Sequence, residues 1–158
     1  MTALLAALLA LPAAPPPQPD PFTTWALGVV ERPGLDAWKR NLLREAIAHP
    51  VTYRTATCTS YCSACSGGHT CWGEPLRLGT AAADRAHWRV RPWREHAAVV
   101  WLNRPQEFGG PCLVTMTDVG GAIKGRDRFD ICAGRRKACG CDGWGRRKVE
   151  YVVLRGER

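Results

Sequence analysis

Short runs of apolar and β-branched residues dominate the chain after residue 50, and clusters of glycine, proline and charged residues separate them. Six of these runs are long enough to form a strand. They are residues 51–57, 76–83, 97–102, 113–117, 129–132 and 149–154. Six short strands that share one core predict a mainly β protein, with the strands closed into a small barrel over residues 51–158.

A helix is predicted before the strands, because apolar residues recur there at three- and four-residue spacing. Asp36 suits its start and Pro50 its end, which predicts one N-terminal helix over residues 34–50. Its apolar positions are Leu35, Trp38, Leu42, Leu43, Ala46 and Ile47. We expect this helix to pack on the outside of the barrel.

The N-terminus resembles a leader segment. Residues 3–11 are an uninterrupted apolar run, which small residues follow, and a run of this length is too short to cross a bilayer. We therefore expect a signal peptide at 1–14 and a proline-rich linker at 15–33. The protein would then be secreted or reside in the periplasm or cell envelope, with no integral membrane span once the signal is removed.

Eight cysteines in 158 residues support export independently. An even number of cysteines in an exported domain predicts a disulfide framework, although eight cysteines allow 105 pairings. The cysteines are Cys58, Cys62, Cys65, Cys71, Cys112, Cys132, Cys139 and Cys141. A zinc site on Cys62 and Cys65 is the rival interpretation, but no second pair has suitable spacing. We expect disulfides of unknown pairing, no metal and no cofactor.

The net charge of +8 allows an acidic partner such as nucleic acid, anionic lipid or a cell-wall polymer. The basic residues are scattered along the chain, and no nucleic-acid-binding motif accompanies them. No nucleic-acid partner is therefore expected.

Two aspartates lie at the ends of apolar strands near a glycine turn. Asp118 ends one predicted strand, and Asp130 lies between Phe129 and Ile131 in the next. An apolar setting raises the pKa of a carboxyl group, as a general acid requires. The intervening Gly120 and Gly121 are expected to adopt positive φ angles or to let another segment pass closely.

The sequence from Asp118 to Gly125, Asp-Val-Gly-Gly-Ala-Ile-Lys-Gly, followed by Phe129-Asp130-Ile131, resembles the signature of the 3D (three-aspartate) domain. It is particularly similar to the version in the membrane-bound lytic transglycosylase A family. Weaker similarity covers 55–62 and 78–84. The resemblance implies a double-psi β-barrel with a trio of Asp84, Asp118 and Asp130. The segment from Gly125 to Asp130 is one residue longer than the family pattern.

The same resemblance implies cleavage of peptidoglycan glycan strands, with Asp130 as the single acid and base and with Asp118 and Asp84 as orienting groups. The sugar's own 6-hydroxyl would attack, giving a 1,6-anhydro product. Sugars also bind to flat apolar surfaces and to hydrogen-bonding groups. The candidates for substrate binding are Trp72, Trp88, Trp101, Trp144 and Lys124.

Two alternatives remain open. One is a non-catalytic module that binds or loosens the cell wall, as expansin-like barrels do. The other is an endoglucanase-like hydrolase that uses two aspartates, since hydrolysis of a glycosidic bond requires an acid and a second carboxylate. In each case we expect a cell-wall glycan as the partner and a monomeric protein.

Overall fold

The computed structural model describes residues 20–92, 96–104, 110–133 and 144–156. The predicted signal peptide, the linker up to residue 19, Cys139 and Cys141 lie outside these ranges. The helices and strands are, in chain order, α1 (Pro21–Val29), α2 (Ala37–Ile47), β1 (Tyr53–Tyr61), α3 (Ser63–Ser66), β2 (Thr80–Ala83), β3 (Val99–Asn103), β4 (Cys112–Asp118), β5 (Arg128–Cys132) and β6 (Arg147–Arg155).

The six strands form a closed barrel in the order β1-β5-β2-β4-β3-β6, which confirms the predicted fold class. The β1–β5 and β2–β4 pairs are parallel, and the other pairs are antiparallel. Because parallel neighbours cannot be joined by a tight hairpin, long connections must cross the ends of the barrel. Closure also leaves the sheet without an exposed edge.

Aromatic rings fill the barrel. Trp88 packs edge-on against Phe129 and Tyr151, with ring centroids 5.4 and 6.3 Å away, and its indole N–H donates to the Arg126 carbonyl oxygen at 2.8 Å. Trp144 is 5% exposed and belongs to the same core. Trp88 and Trp144, two of the candidates for sugar binding, are therefore enclosed in the barrel core, which needs large apolar side chains.

A second apolar layer lies between the outside of the barrel and the N-terminal helices. Trp101 is fully buried there, with its ring centroid 5.7 Å from that of Phe22 and 6.1 Å from that of Tyr53. Trp101, another of the candidates for sugar binding, thus anchors the helical layer with its ring fully enclosed.

Helix α1 occupies a segment that was assigned to the linker at 15–33. Asp20 caps the helix by accepting from the Thr23 amide at 3.1 Å, and Pro21 follows at the first turn, where its missing N–H removes no helical bond. The Tyr53 hydroxyl also donates to Asp20. The burial of Phe22 and Ala26 against the barrel provides the tertiary stabilisation that a nine-residue helix needs.

The expected disulfide framework is not formed among the cysteines that the structure describes. No two of these six are joined: Cys58, Cys62, Cys65, Cys71, Cys112 and Cys132. Cys58 and Cys132 lie on strands and are buried, so they contribute to the packing as small apolar side chains.

Candidate functional site

The site is built on three adjacent strands. In the strand register Ala82 of β2 pairs with Asp118 of β4 on one side and with Asp130 of β5 on the other. The register of β2 against β4 shifts between Ala81 and Ala82, so that Asp118 rather than Thr117 lies beside Ala82. Such an irregularity redirects a side chain next to a site. The barrel thus brings two of the three predicted aspartates together.

Both aspartates line one pocket of about 440 Å³, a volume within the usual range for ligand sites. Ala82 lies between them and contributes only a methyl group, which leaves the space above the strand open. The remaining wall comes from the end of β1, the loop after it and the turn after β4. Its lining residues are Tyr61, Cys65, Ser66, His69, Thr70, Cys71, Val119 and Gly120.

Asp130 has the environment of a proton donor. Its neighbours Phe129 and Ile131 point into the barrel core, so strand alternation turns Asp130 to the opposite, pocket face. Burial raises the pKa of Asp130, and the negative charge of Asp118 raises it further. The Thr59 hydroxyl, which donates to Asp130 Oδ1 at 2.7 Å, and the charge of Arg128 oppose this rise without cancelling it.

The longer segment before Asp130 does not remove its side chain from the pocket. The register aligns Asp130 with Thr59 of β1 on one side of β5 and with Ala82 of β2 on the other. These two pairings keep the Asp130 side chain on the pocket face. The additional residue is therefore accommodated before the strand begins at Arg128.

Asp118 is held much more tightly by hydrogen bonds. Its Oδ1 accepts from the backbone amides of Cys71 at 2.7 Å and of Val119 at 2.8 Å. Its Oδ2 accepts from the Tyr61 hydroxyl at 3.3 Å. Asp118 is nearly buried, and these donors fix its carboxylate in one orientation. The bond to the Cys71 amide also attaches the loop after β1 to the end of β4.

The third aspartate, Asp84, lies outside the pocket lining. Its Oδ2 accepts from the Gly125 amide at 2.8 Å and its Oδ1 from the Ala86 amide at 3.0 Å. These two backbone donors lower the pKa of Asp84. Gly125 has a φ of 92°, a conformation that favours glycine, and Asp84 holds this turn in place. The geometry therefore gives Asp84 a structural role, in contrast to the two aspartates in the pocket.

Of the two alternatives expected for the glycine pair after Asp118, positive φ angles are absent from both Gly120 and Gly121. A Cβ on Gly120 would lie 2.5 Å from Cγ1 of Ile123, whereas a Cβ on Gly121 would meet no atom within 4 Å. The close approach is therefore needed at Gly120 alone, where the turn folds back and the Ile123 amide donates to the Gly120 carbonyl at 3.0 Å.

Among the predicted substrate-binding residues, Trp72 and Lys124 remain accessible. Trp72 is 37% exposed and follows Cys71, whose amide binds Asp118 in the pocket. The Arg85 guanidinium carbon lies 5.1 Å from the centroid of the Trp72 ring and supports one side of it. Lys124 is exposed on the turn that Asp84 holds.

Sequence reasoning missed two residues of this site. The Tyr61 hydroxyl contacts Asp118, and the Thr59 hydroxyl contacts Asp130. The two residues are separated by two positions on β1 and therefore lie on the same face. Only the parallel pairing of β1 with β5 places that face beside Asp130, and the sequence of β1 contains no sign of this partner.

Across the ranges that the structure describes, no three His, Cys, Asp or Glu side chains are grouped closely enough to hold a metal ion. Within those same ranges, none of the helices is both long and apolar enough to span a membrane. A second pocket, of about 330 Å³, lies between α2 and strands β1 and β6 and includes Glu45 and His49. It lies apart from the aspartate pair.

No protein-family model matches the chain, and no curated protein matches it. Solved structures with partial similarity include the lytic transglycosylase MltA from Escherichia coli, with 26% identity over 56% of this chain and 27% of that one, at a TM-score of 0.41. The lytic transglycosylase LtgG of Burkholderia pseudomallei shows 28% identity over 53% of this chain and 24% of that one, at a TM-score of 0.38.

A membrane-bound lytic murein transglycosylase from Agrobacterium tumefaciens is 26% identical over 56% of this chain and 26% of its own, at a TM-score of 0.40. One structure of the Escherichia coli protein contains bound chitohexaose, with 24% identity over 57% of this chain, 28% of that one and a TM-score of 0.41. The chain thus spans about a quarter of the length of these solved proteins.

Proposed function

We propose that this protein is exported to the cell envelope and cleaves the glycan strands of peptidoglycan as a lytic transglycosylase, with Asp130 as its acid and base. The observation that supports this proposal is the position of Asp130: a carboxyl group with a raised pKa in an open pocket beside a second carboxylate. A raised pKa keeps the proton on Asp130 available for transfer to a leaving oxygen. The similarity of 118–131 to the 3D signature supports the same assignment.

In the proposed reaction Asp130 donates its proton to the glycosidic oxygen as the bond to the anomeric carbon breaks. Positive charge develops on the sugar ring, and the ionised Asp130 and the nearby Asp118 stabilise it. Asp130 then takes the proton from the sugar's 6-hydroxyl, whose oxygen attacks the anomeric carbon. The products are a 1,6-anhydro end and a new free end, and no water is consumed.

The other residues position the substrate or the acid. Thr59 orients the Asp130 carboxyl through their 2.7 Å hydrogen bond, and Tyr61 orients Asp118. Trp72, at the edge of the loop that Asp118 holds, offers its exposed ring to a sugar face. Asp84 acts indirectly by fixing the turn that carries Lys124.

A two-carboxylate hydrolase is the second candidate, and the pairing of both aspartates with Ala82 favours it. Neighbouring strands lie about 4.8 Å apart, and β2 lies between β4 and β5, so the backbones of Asp118 and Asp130 are about 10 Å apart. Carboxyl groups that reach toward each other from such positions can leave room for a water molecule between them and the sugar. Asp118 would then act on water as the base while Asp130 acts as the acid.

Product analysis separates the two candidates. The purified full chain is incubated with purified peptidoglycan and, separately, with chitohexaose as a soluble probe, and the products are analysed by mass spectrometry. Products that are lighter by one water than hydrolytic fragments support the transglycosylase. Hydrated products incorporating ¹⁸O from labelled water support the hydrolase. Tight binding without any product would contradict both and leave a non-catalytic wall-binding module.

A further inference from the structure

The loop that follows β1 contains two sulfur atoms in contact. Cys62 is fully buried, whereas Cys65 is exposed, and their Sγ atoms lie 3.9 Å apart. Cys62 has an extended backbone, with φ −146° and ψ 175°, and the helical turn α3 begins directly after it. This change of direction brings the side chain of Cys65 back over that of Cys62.

The backbone keeps the two sulfurs in this arrangement. The Cys62 amide donates to Cys65 Sγ at 3.1 Å, and the Cys65 thiol donates to the Cys62 carbonyl at 3.3 Å. An amide that points at a sulfur stabilises negative charge on it, and the thiolate is the form that reacts with disulfides. The sulfurs must approach by roughly 2 Å to reach the bond length of about 2.05 Å. Rotation of the exposed Cys65 side chain can provide this movement.

We propose that Cys62 and Cys65 form a reversible dithiol–disulfide pair whose substrate is a small-molecule disulfide. The exposed Cys65 thiolate attacks one sulfur of the disulfide, forming a mixed disulfide and releasing one thiol. The buried Cys62 then attacks the Cys65 sulfur and releases the second thiol. Two electrons pass from the protein to the small molecule, and the two protons of the protein thiols end on the two released thiols.

This redox site adjoins the candidate active site. Cys65 and Cys71 both line the pocket that contains Asp118 and Asp130. The Cys71 sulfur is also exposed, but its backbone amide is engaged with Asp118, which ties that part of the loop to β4. The redox assignment depends on the sulfur geometry and not on glycan cleavage, so either proposal can fail without the other.

The test uses the reduced full chain and oxidised glutathione. After incubation the remaining thiols are alkylated, and peptides are mapped by mass spectrometry. We expect the peptide that contains Cys62 and Cys65 to lose two hydrogens and both alkylation sites. Dithiothreitol should restore them. A Cys71→Ser variant, the matched control, should form the same disulfide to the same extent.

Two variants probe the order of the steps. Cys62→Ser removes the resolving thiol and should leave one glutathione attached to Cys65. Cys65→Ser, at an exposed position, should abolish both the adduct and the internal disulfide, and its fold is checked by circular dichroism. Stable glutathione on Cys65 of the unmodified chain, a disulfide from Cys65 to Cys71, or continued alkylation of both Cys62 and Cys65 would each overturn the proposal.

Discussion

Asp118 and Asp130 are both strand partners of Ala82, one on each side of β2, and both line the same pocket. Their hydrogen bonds differ in kind. Asp118 accepts from two backbone amides, whereas Asp130 accepts from the Thr59 hydroxyl and has its pKa raised by burial. When two carboxyl groups lie in different environments, one can act as the acid while the other stays ionised and stabilises positive charge.

This division predicts that Asp130→Asn abolishes glycan cleavage. The amide has nearly the shape of the carboxyl group but can neither deliver nor accept the proton, a step that typically contributes a factor of about 10²–10⁴ to the rate. The measurement is the rate of release of soluble fragments from peptidoglycan by the wild type and the variant. Binding to peptidoglycan, measured by sedimentation, should remain nearly unchanged.

Asp118→Asn is the matched control for that experiment. In the proposed transglycosylase reaction Asp118 would orient the substrate and stabilise the developing charge, so its loss should lower the rate by less than the loss of Asp130. Equal loss of activity in both variants, together with hydrated products, would contradict a single acid and base. It would instead favour the hydrolase with two carboxylates.

The pKa shifts predict opposite pH effects on stability for two aspartates. Burial raises the pKa of Asp130 above the value of about 3.9 that it has in the unfolded chain. Below that value the carboxyl group is protonated in both states, and the folded protein loses stability as the pH rises through the raised pKa. Asp130→Asn never ionises, so its free energy of unfolding should rise relative to that of the wild type as the pH increases from about 3 through the raised pKa, and the difference should then stay constant.

Asp84→Asn should show the reverse trend. The backbone amides of Gly125 and Ala86 lower the pKa of Asp84 in the folded protein. The ionised carboxylate therefore stabilises the fold at any pH above the pKa of the unfolded chain, and this stabilisation is lost as the pH falls through the lowered pKa. The variant should be less stable than the wild type at neutral pH and equal to it in acid. Urea unfolding of both variants across this pH range measures the two trends. If the free energy of unfolding of Asp84→Asn also rose relative to the wild type with increasing pH, Asp84 would not be held by these amides.

Thr59 is predicted to set the pH range of activity. Its hydrogen bond lowers the pKa of Asp130 against the larger effect of burial, so Thr59→Val should raise that pKa further. Because the acid must be protonated to act, the alkaline decline of the activity should move to higher pH. Thr59→Ser keeps the hydroxyl and serves as the control, with a profile close to that of the wild type. An alkaline decline at the same pH in all three proteins would exclude this contact as the cause.

The sequence predicted the barrel because each strand shows its own local signal. Alternation between Phe129, Asp130 and Ile131 assigns the apolar pair to the core and the carboxyl group to the opposite face, and the structure has the same arrangement. The two aspartates of the pocket were therefore identified from local pattern and resemblance, even though 12 positions separate them.

What could not be predicted depends on partners distant in the chain. Trp88 and Trp101 have the same apolar character as Trp72, and only the tertiary fold buries the first two and leaves the third exposed. The short helix α1 owes its stability to Trp101, more than 70 positions away, rather than to its own composition. The contact of Thr59 with Asp130 likewise arises from the parallel pairing of β1 with β5.

The turn after Asp118 gives the last prediction, which compares two adjacent glycines. A methyl group on Gly120 would lie 2.5 Å from Cγ1 of Ile123, and Ile123 is itself buried against Tyr61 and Leu76, so it cannot move away easily. Gly120→Ala should therefore lower the free energy of unfolding by about 1–3 kcal/mol, the usual cost of overpacking. Gly121→Ala, where the added methyl group meets nothing within 4 Å, should change it by less than about 0.5 kcal/mol. Urea denaturation of both variants measures the difference. If Gly121→Ala were the more damaging change, the turn would have to differ from this geometry, and with it the wall of the pocket that Gly120 forms.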